Sequence, residues 1–508
     1  MKKITALIVT VALICTSGTA VLNYAPAVAE AFYQSVPLII ISADRPRQWI
    51  DQDDSQTIRQ DGVLANIVKK SYDFPAAQDP DEETMWMITR LSNDAMIEAL
   101  SHRQGPVHIN VRLSEPLGGK TDAVDAPPRI IRLIQPEQVL PRQTMRELAD
   151  TVIASKVLVV AGFMPPDHRL NRAMEELAAL PNVYVMAETI SNLHIEGRPW
   201  AVDVTLASLS ADDEHRLAPN LIISLGGALV SRKIKEYLRR CRNAQHWSIG
   251  YSHTTTDCFK NLTLRIEADR ARFIHQIAAL AHRERMRILK SPAGDYKMLW
   301  EGMKERSLEA SQLFLRDAPW SELKAFETIF RHFPTEANLH LSNGTSIRYS
   351  QLLLKHMPHA CFCNRGVSGI DGATSTAIGS SLAFRGLTVL ITGDMSFAYD
   401  ISALNIRYVG DNMRIIVIGN AGGGIFRFIG STAALEEREP YFCADPQMPA
   451  ADVAQAYGWR CLEASDNATL STILPDFFSS SKPKSLLLIH CPPEESATIL
   501  KNYFNQLS

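Results

Sequence analysis

Residues 387–400 read LTVLITGDMSFAYD and residues 413–426 read MRIIVIGNAGGGIF. In each, a short β-branched apolar run ends in glycine followed by an oxygen-bearing side chain, Asp394 in the first and Asn420 in the second. Runs of this length and composition predict buried strands, and two of them in succession predict parallel neighbours that deliver ligands to one edge of a sheet. A hard divalent cation takes oxygen ligands and commonly shares phosphate oxygens. The Asp394 carboxylate, the Asn420 amide oxygen and a backbone carbonyl near Gly422 supply such ligands, and Gly422 and Gly423 let the backbone approach a diphosphate without side-chain clashes. The two stretches together are read as a metal–diphosphate clamp, against the alternative of two buried strands ending in ordinary turns.

The same alternation of apolar runs and helical stretches extends in both directions. Towards the amino terminus, VALIC, PLIIIS and PVHINV predict strands, with a helix at about residues 22–33 and another containing AMIEALSHR. Residues 117–142 are rich in Gly, Pro and charge and read as a linker. KVLVVAG, NVYVMAE, NLIISLGG and HWSIG predict a second set of strands, and residues 267–320 a charged helical bridge. Gly162, Gly226 and Gly227 follow strands in this middle region and are ordinary turn formers there, so no nucleotide is assigned to it. The helix AIGSSLAFRG, the two clamp strands and KSLLLIHC make a third set. The expectation is an α/β chain of three domains, 1–118, 141–295 and 300–508, with mainly parallel sheets flanked by helices.

The chain has 508 residues, 46% hydrophobic and 21% charged, and a formal net charge of -3. No basic block points to nucleic acid, which favours small-molecule chemistry. The eight cysteines are scattered without C-x-x-C pairs, as expected of reduced thiols in a cytoplasm, and Cys361 and Cys363 are read as part of an apolar strand rather than a zinc site. The first residues, MKK followed by ITALIVTVALI, have the form of a secretory leader with a cleavage site near Ala27-Val28-Ala29. Against export, they also read as a core strand leading into a β-α-β unit, which a cleavage there would cut. Export is the alternative to a cytoplasmic location, and stable membrane insertion is not expected.

Upstream of the clamp, CNRGVSGIDGATSTAIGSSLAF sets Asn364 and Arg365 before a Gly-rich turn, where the guanidinium offers a planar fork to a carboxylate. With CTSGTAVLNYAPAVAEA, ISADRPRQWIDQDDSQTIRQ, GPVHINV, LSNGTSIR, GDMSFAYD and NAGGGIF, these residues resemble the thiamine-diphosphate enzymes over nearly the whole chain, and among them the branch serving menaquinone biosynthesis. The resemblance implies pyrimidine-binding, central and diphosphate-binding domains. It also implies a homodimer or homotetramer, since active sites in such enzymes form between subunits. The implied reaction decarboxylates 2-oxoglutarate and adds the carbanion equivalent to isochorismate. Asp394, Asn420 and Gly422 match the ligands of magnesium or manganese. Ser396 and Gly423 lie where the diphosphate is held, and Ile370 matches the apolar wedge that bends the cofactor. Arg45, Gln56, Arg348 and Arg365 match substrate-contacting positions, which suits substrates carrying several carboxylates. Read without the resemblance, Arg45 pairs with Asp44, Gln56 is a turn residue and Arg348 is solvated. Phe426 borders the same pocket or belongs to the core.

The sequence also departs from the family pattern. Such enzymes use a glutamate in the first domain to activate the cofactor, upstream of the strand matched here by CTSGT. Only fifteen residues precede Thr16, and the first acidic residue is Glu30. The early Ser-Arg substrate turn is likewise unmatched, Gly344 stands where serine is common, and Arg232 stands at a lysine-like position. The expectation is a recorded start inside the first domain, with an exposed sheet edge and poor solubility. The alternatives are an impaired cofactor-binding remnant and another carboligase of the acetolactate-synthase kind.

Overall fold

The computed structural model describes residues 10–76, 81–101, 103–115, 129–136, 138–195, 201–251 and 254–507. The beginning of the leader-like run and half of the 117–142 linker lie outside these residues. Among them are fifteen strands in three sheets, every pairing parallel. Residues 1–137 and 138–508 form two compact units.

The first unit holds β1 (Val11–Cys15), β2 (Leu38–Asp44), β3 (Ser71–Phe74) and β4 (Pro106–Arg112), in the order β1-β2-β4-β3. One face packs Val28, Ile40 and Leu64, and the other packs Ile39, Tyr72 and Val107. β1 is an edge strand and leaves Ile14 73% exposed. The helix expected at about 22–33 is Ala25–Gln34, preceded by a 3-10 turn, Gly18–Tyr24. Pro26 falls in the first turn of the α-helix, where its missing N–H costs nothing.

The second unit contains two sheets. β5 (Val157–Ala161), β6 (Val183–Ala187), β7 (Leu221–Leu225), β8 (Gln245–Ile249) and β9 (Leu262–Ile266) lie in the order β6-β5-β7-β8-β9. β10 (Asn338–Leu341), β11 (Ala360–Cys363), β12 (Thr388–Gly393), β13 (Met413–Gly419), β14 (Arg460–Ala464) and β15 (Ser485–His490) lie in the order β11-β10-β12-β13-β15-β14. Ile190, Val204 and Val230 from the middle region share a core with the six-stranded sheet. Helices Arg270–Arg283 and Tyr296–Asp317 form the expected bridge.

The two opening stretches are adjacent strands, paired from Thr388 with Met413 to Gly393 with Ile418. Their apolar residues alternate between two buried faces. Val389, Ile391, Ile416 and Ile418 join one core, and Leu390, Ile415 and Val417 the other. A parallel sheet covered on both sides requires this near-continuous apolar run, which is why the sequence shows no polar alternation. The chain runs from β10 outwards to β11 and then returns past β10 to β12. Strand order therefore reverses beside β10, and the carboxyl ends of β10–β13 flank the crevice that such a reversal creates.

Candidate active site

Four site-bearing loops leave those four strand ends. Asn343 follows β10, Arg365 follows β11, Asp394 follows β12 and Asn420 follows β13. The Asp394 carboxylate accepts the backbone N–H of Met395 at 2.7 Å through Oδ1, and those of Asn420 at 3.1 Å and Gly422 at 3.0 Å through Oδ2. Burial pushes its pKa up, opposed by the three backbone N–H groups. A cation beside it would favour the ionised form.

Asn420 is 2% exposed and held on three sides. Its N–H donates to Asp394, its carbonyl accepts from Arg427 Nη1 at 2.8 Å, and its side-chain Nδ2 donates to Glu322 Oε1 at 2.8 Å. The amide oxygen Oδ1 is buried without a hydrogen-bond partner. An orphaned buried oxygen costs about 1–3 kcal/mol unless a ligand satisfies it. With a carboxylate one strand away, this donor set fits a hard divalent cation. Among the described residues no group of three or more His, Cys, Asp or Glu is arranged to hold a metal. A cation here would thus draw on one carboxylate, an amide, backbone carbonyls and ligand oxygens.

The loop after Asn420 cannot carry ordinary side chains. Gly422 has φ +97°, and a Cβ there would lie 2.0 Å from the Cys443 carbonyl oxygen. Gly423 donates its N–H to that same oxygen at 2.7 Å. Arg427 Nη2 donates to the Ala421 carbonyl at 2.9 Å and to Glu439 at 2.7 Å, so the guanidinium braces the loop from behind. Phe426 contacts Phe442, with ring centroids 5.7 Å apart.

Ser396 Oγ donates to the Ile370 carbonyl at 2.6 Å, which joins the helix after β12 to the loop after β11. Arg365 Nη1 donates to Asn343 Oδ1 at 2.8 Å and Nη2 to the Leu229 carbonyl at 3.4 Å, while Nε is buried without a partner. Arg348, on helix Thr345–Leu353, donates to the Gly344 carbonyl and is half-buried rather than solvated. Burial and then the Arg365 charge lower its pKa, offset by Asp203. Gly344 has φ +102° and opens that helix, whereas Arg232 is exposed and pairs with Glu236 at 2.6 Å.

In the first unit, Arg45 follows β2. Its guanidinium lies 3.3 Å from Glu115 and 3.9 Å from Asp54, and only its backbone N–H bonds Asp44, at 2.8 Å. The expected guanidinium pairing with Asp44 is absent because Asp44 Oδ2 is taken by Arg112 at 3.0 Å. Gln56 has φ +56°, in a turn whose carbonyl would lie 3.3 Å from a Cβ at Gly18. Beneath both loops runs a buried network that the sequence did not announce. Gln60 accepts from the Gly18 N–H at 3.0 Å and donates to the Ala43 carbonyl at 2.7 Å and Asn110 Oδ1 at 2.8 Å. Glu322, Arg427 and Gln60 have no local sequence signature, since each meets its partners only in the folded chain.

Comparison with known proteins follows this geometry. The family described as thiamine pyrophosphate enzyme, N-terminal TPP binding domain, matches residues 9–63. The 2-succinyl-5-enolpyruvyl-6-hydroxy-3-cyclohexene-1-carboxylate synthase of Porphyromonas gingivalis is 41% identical over 501 residues, covering 98% of this chain and 86% of that protein. The chain belongs to the family of this synthase. Synthases of the same name from Flavobacterium psychrophilum and Bacteroides fragilis are 35% and 33% identical, each over 98% of this chain and 87% of their own length. This member of the synthase family has a parallel α/β architecture.

Proposed function

We propose that this chain is a thiamine-diphosphate-dependent carboligase that decarboxylates 2-oxoglutarate and adds the succinyl carbanion equivalent to isochorismate. The products are 2-succinyl-5-enolpyruvyl-6-hydroxy-3-cyclohexene-1-carboxylate and carbon dioxide, a step of menaquinone biosynthesis. The observation that carries the reading is the orphaned Asn420 Oδ1 beside the Asp394 carboxylate, at the reversal point of a parallel sheet. When bound, thiamine diphosphate supplies the electron sink that makes loss of carbon dioxide possible. Asp394, Asn420 and the Gly422 carbonyl would hold magnesium or manganese against the diphosphate, with Ser396 and Gly423 lining the same loops. Ile370 would wedge the cofactor rings. Arg348 and Arg365 present guanidinium groups to carboxylates from a partly water-excluded surface, where charge-assisted hydrogen bonds strengthen. Arg45 and Gln56 would contribute substrate contacts from the first unit.

The division 1–118, 141–295 and 300–508, and a homodimer or homotetramer, belong to the same proposal. A cytoplasmic location agrees with eight cysteines that form no disulfide among the described residues. Among the described residues no helix is long and apolar enough to cross a membrane. Calorimetric titration with thiamine diphosphate and magnesium, beside an assay of isochorismate-dependent carbon dioxide release from 2-oxoglutarate, tests the reading. Metal-dependent binding with turnover is expected. Binding without turnover would favour the cofactor-binding alternative.

A further inference from the structure

Asparagine presents an oxygen and an NH2 group of nearly equal size, so which one faces a neighbouring ligand is decided by the bonds the other makes. At Asn420 that decision falls to Glu322, at the start of helix Glu322–His332 and 98 positions away along the chain. We propose that Glu322 is a positioning residue that fixes the Asn420 amide with its oxygen turned towards the cation. The proposal rests on the assignment of Asp394 and Asn420 to a metal–diphosphate site.

Four observations support it. Glu322 is 3% exposed and accepts the Asn420 Nδ2 hydrogen through Oε1 at 2.8 Å. A reversed amide would set oxygen against oxygen between two buried side chains. The backbone of Asn420 is pinned separately by Asp394 and Arg427, so the side-chain torsion is the freedom that remains. Gly424 leaves room for this bond. A Cβ there would lie 2.3 Å from Asn420 Nδ2 and 3.1 Å from Glu322 Oε1. Glu322 is itself anchored, its backbone N–H donating to Ser496 Oγ at 3.0 Å.

The test measures manganese binding by electron paramagnetic resonance, with thiamine diphosphate present, on the full-length protein and its variants. Glu322→Met removes the acceptor at similar volume, and manganese affinity is expected to fall ~10- to 100-fold, while Glu322→Gln, which keeps an acceptor oxygen, retains most of it. Unchanged affinity in Glu322→Met overturns the proposal. A reciprocal pair decides the matter even where Glu322→Met does not fold. Asn420→Asp sets two acidic side chains against each other and should weaken manganese binding. Adding Glu322→Gln supplies an NH2 donor to the new carboxylate and should restore ~10-fold of the loss. No gain in the double variant overturns the positioning role. Failure of the unaltered protein to bind manganese with thiamine diphosphate would instead overturn the metal–diphosphate assignment on which it stands.

Discussion

The four-stranded sheet of the first unit and the six-stranded sheet of the second both end in acidic and amide side chains, but they treat those groups differently. In the first, Asp44 and Asp73 flank Arg112, whose guanidinium lies 3.0 Å from each, and Asn110 Nδ2 donates to both carboxylates at 2.8 and 2.9 Å. The charges are answered within the chain. In the second, among the described residues, Asp394 is answered only by backbone N–H groups, and Asn420 keeps an unsatisfied oxygen. The difference separates a scaffold from a binding site. A buried acidic group with its own arginine needs nothing from outside, whereas one met by amides alone is short of positive charge, which a cation supplies.

The largest expected effect comes from breaking the second arrangement. Asp394→Asn keeps the volume and removes the charge that a divalent ion needs. It should lower kcat/KM for carbon dioxide release by at least ~10³-fold, roughly 4 kcal/mol, and abolish metal-dependent cofactor binding in calorimetry. Near-normal cofactor affinity in this variant would erase the contrast between the two sheets. Breaking the first arrangement should act on stability instead. Arg112→Met strands the buried Asp44, while Asp73 keeps Arg47 at 2.6 Å, and is expected to cost about 3 kcal/mol, read as a lowered denaturation midpoint. Replacing the two aspartates by asparagine in the same background should recover most of it.

This contrast was only half legible in the sequence. β12 and β13 were readable because strands buried on both faces must be apolar throughout, and the glycine after each marked where backbone meets ligand. β3 and β9 were not foreseen. Their sequences, SYDF and LTLRI, mix polar with apolar residues because they are edge strands, each paired on one side only. Asp394 and Asn420 stood out through position, one residue past a strand. Glu322 and Gln60 did not, because a residue that acts by hydrogen-bonding a distant neighbour carries no spacing rule, and nor did Arg427, whose carbonyl partners six and seven residues back are brought to it only by the fold of the loop. Arg112 ends the strand PVHINVR without hint that its partners lie on two other strands.

The five-stranded sheet offers an intermediate case, and its effect should be smaller. Glu188, just after β6, is fully buried and accepts the N–H groups of Val230 and Ser231 at 2.7–2.8 Å. Burial pushes its pKa up to about 7, with the two backbone N–H groups opposing, Asp203 reinforcing and Arg365 opposing. Between its usual range and pH 7 the folded protein therefore holds a proton that the unfolded chain has released, and stability falls as pH rises through that window. Glu188→Gln lacks this titration. Relative to the variant, the unaltered protein should lose about 2 kcal/mol between pH 5 and pH 7.5, measured as diverging denaturation midpoints. Parallel pH profiles would mean that backbone amides alone can hold a buried carboxylate ionised. The claim that Asp394 is short of positive charge would then weaken too.

The smallest effect sharpens the comparison at the level of geometry rather than charge. Arg365 spends one terminal nitrogen on Asn343 and one on the Leu229 carbonyl, and its Nε is left buried and unpaired. A planar fork can satisfy those partners and still present a face to a carboxylate, which a point-charge ammonium cannot do. Arg365→Lys keeps the charge and loses the fork. The expected result is a KM about tenfold higher for one carboxylate-bearing substrate, about 1.4 kcal/mol, with cofactor affinity unchanged. If lysine serves equally well, Arg365 belongs with Arg112 as a group whose work is finished inside the chain. If KM rises while metal binding holds, the end of the six-stranded sheet divides its labour, with Asp394 and Asn420 answering a cation and Arg365 an acid.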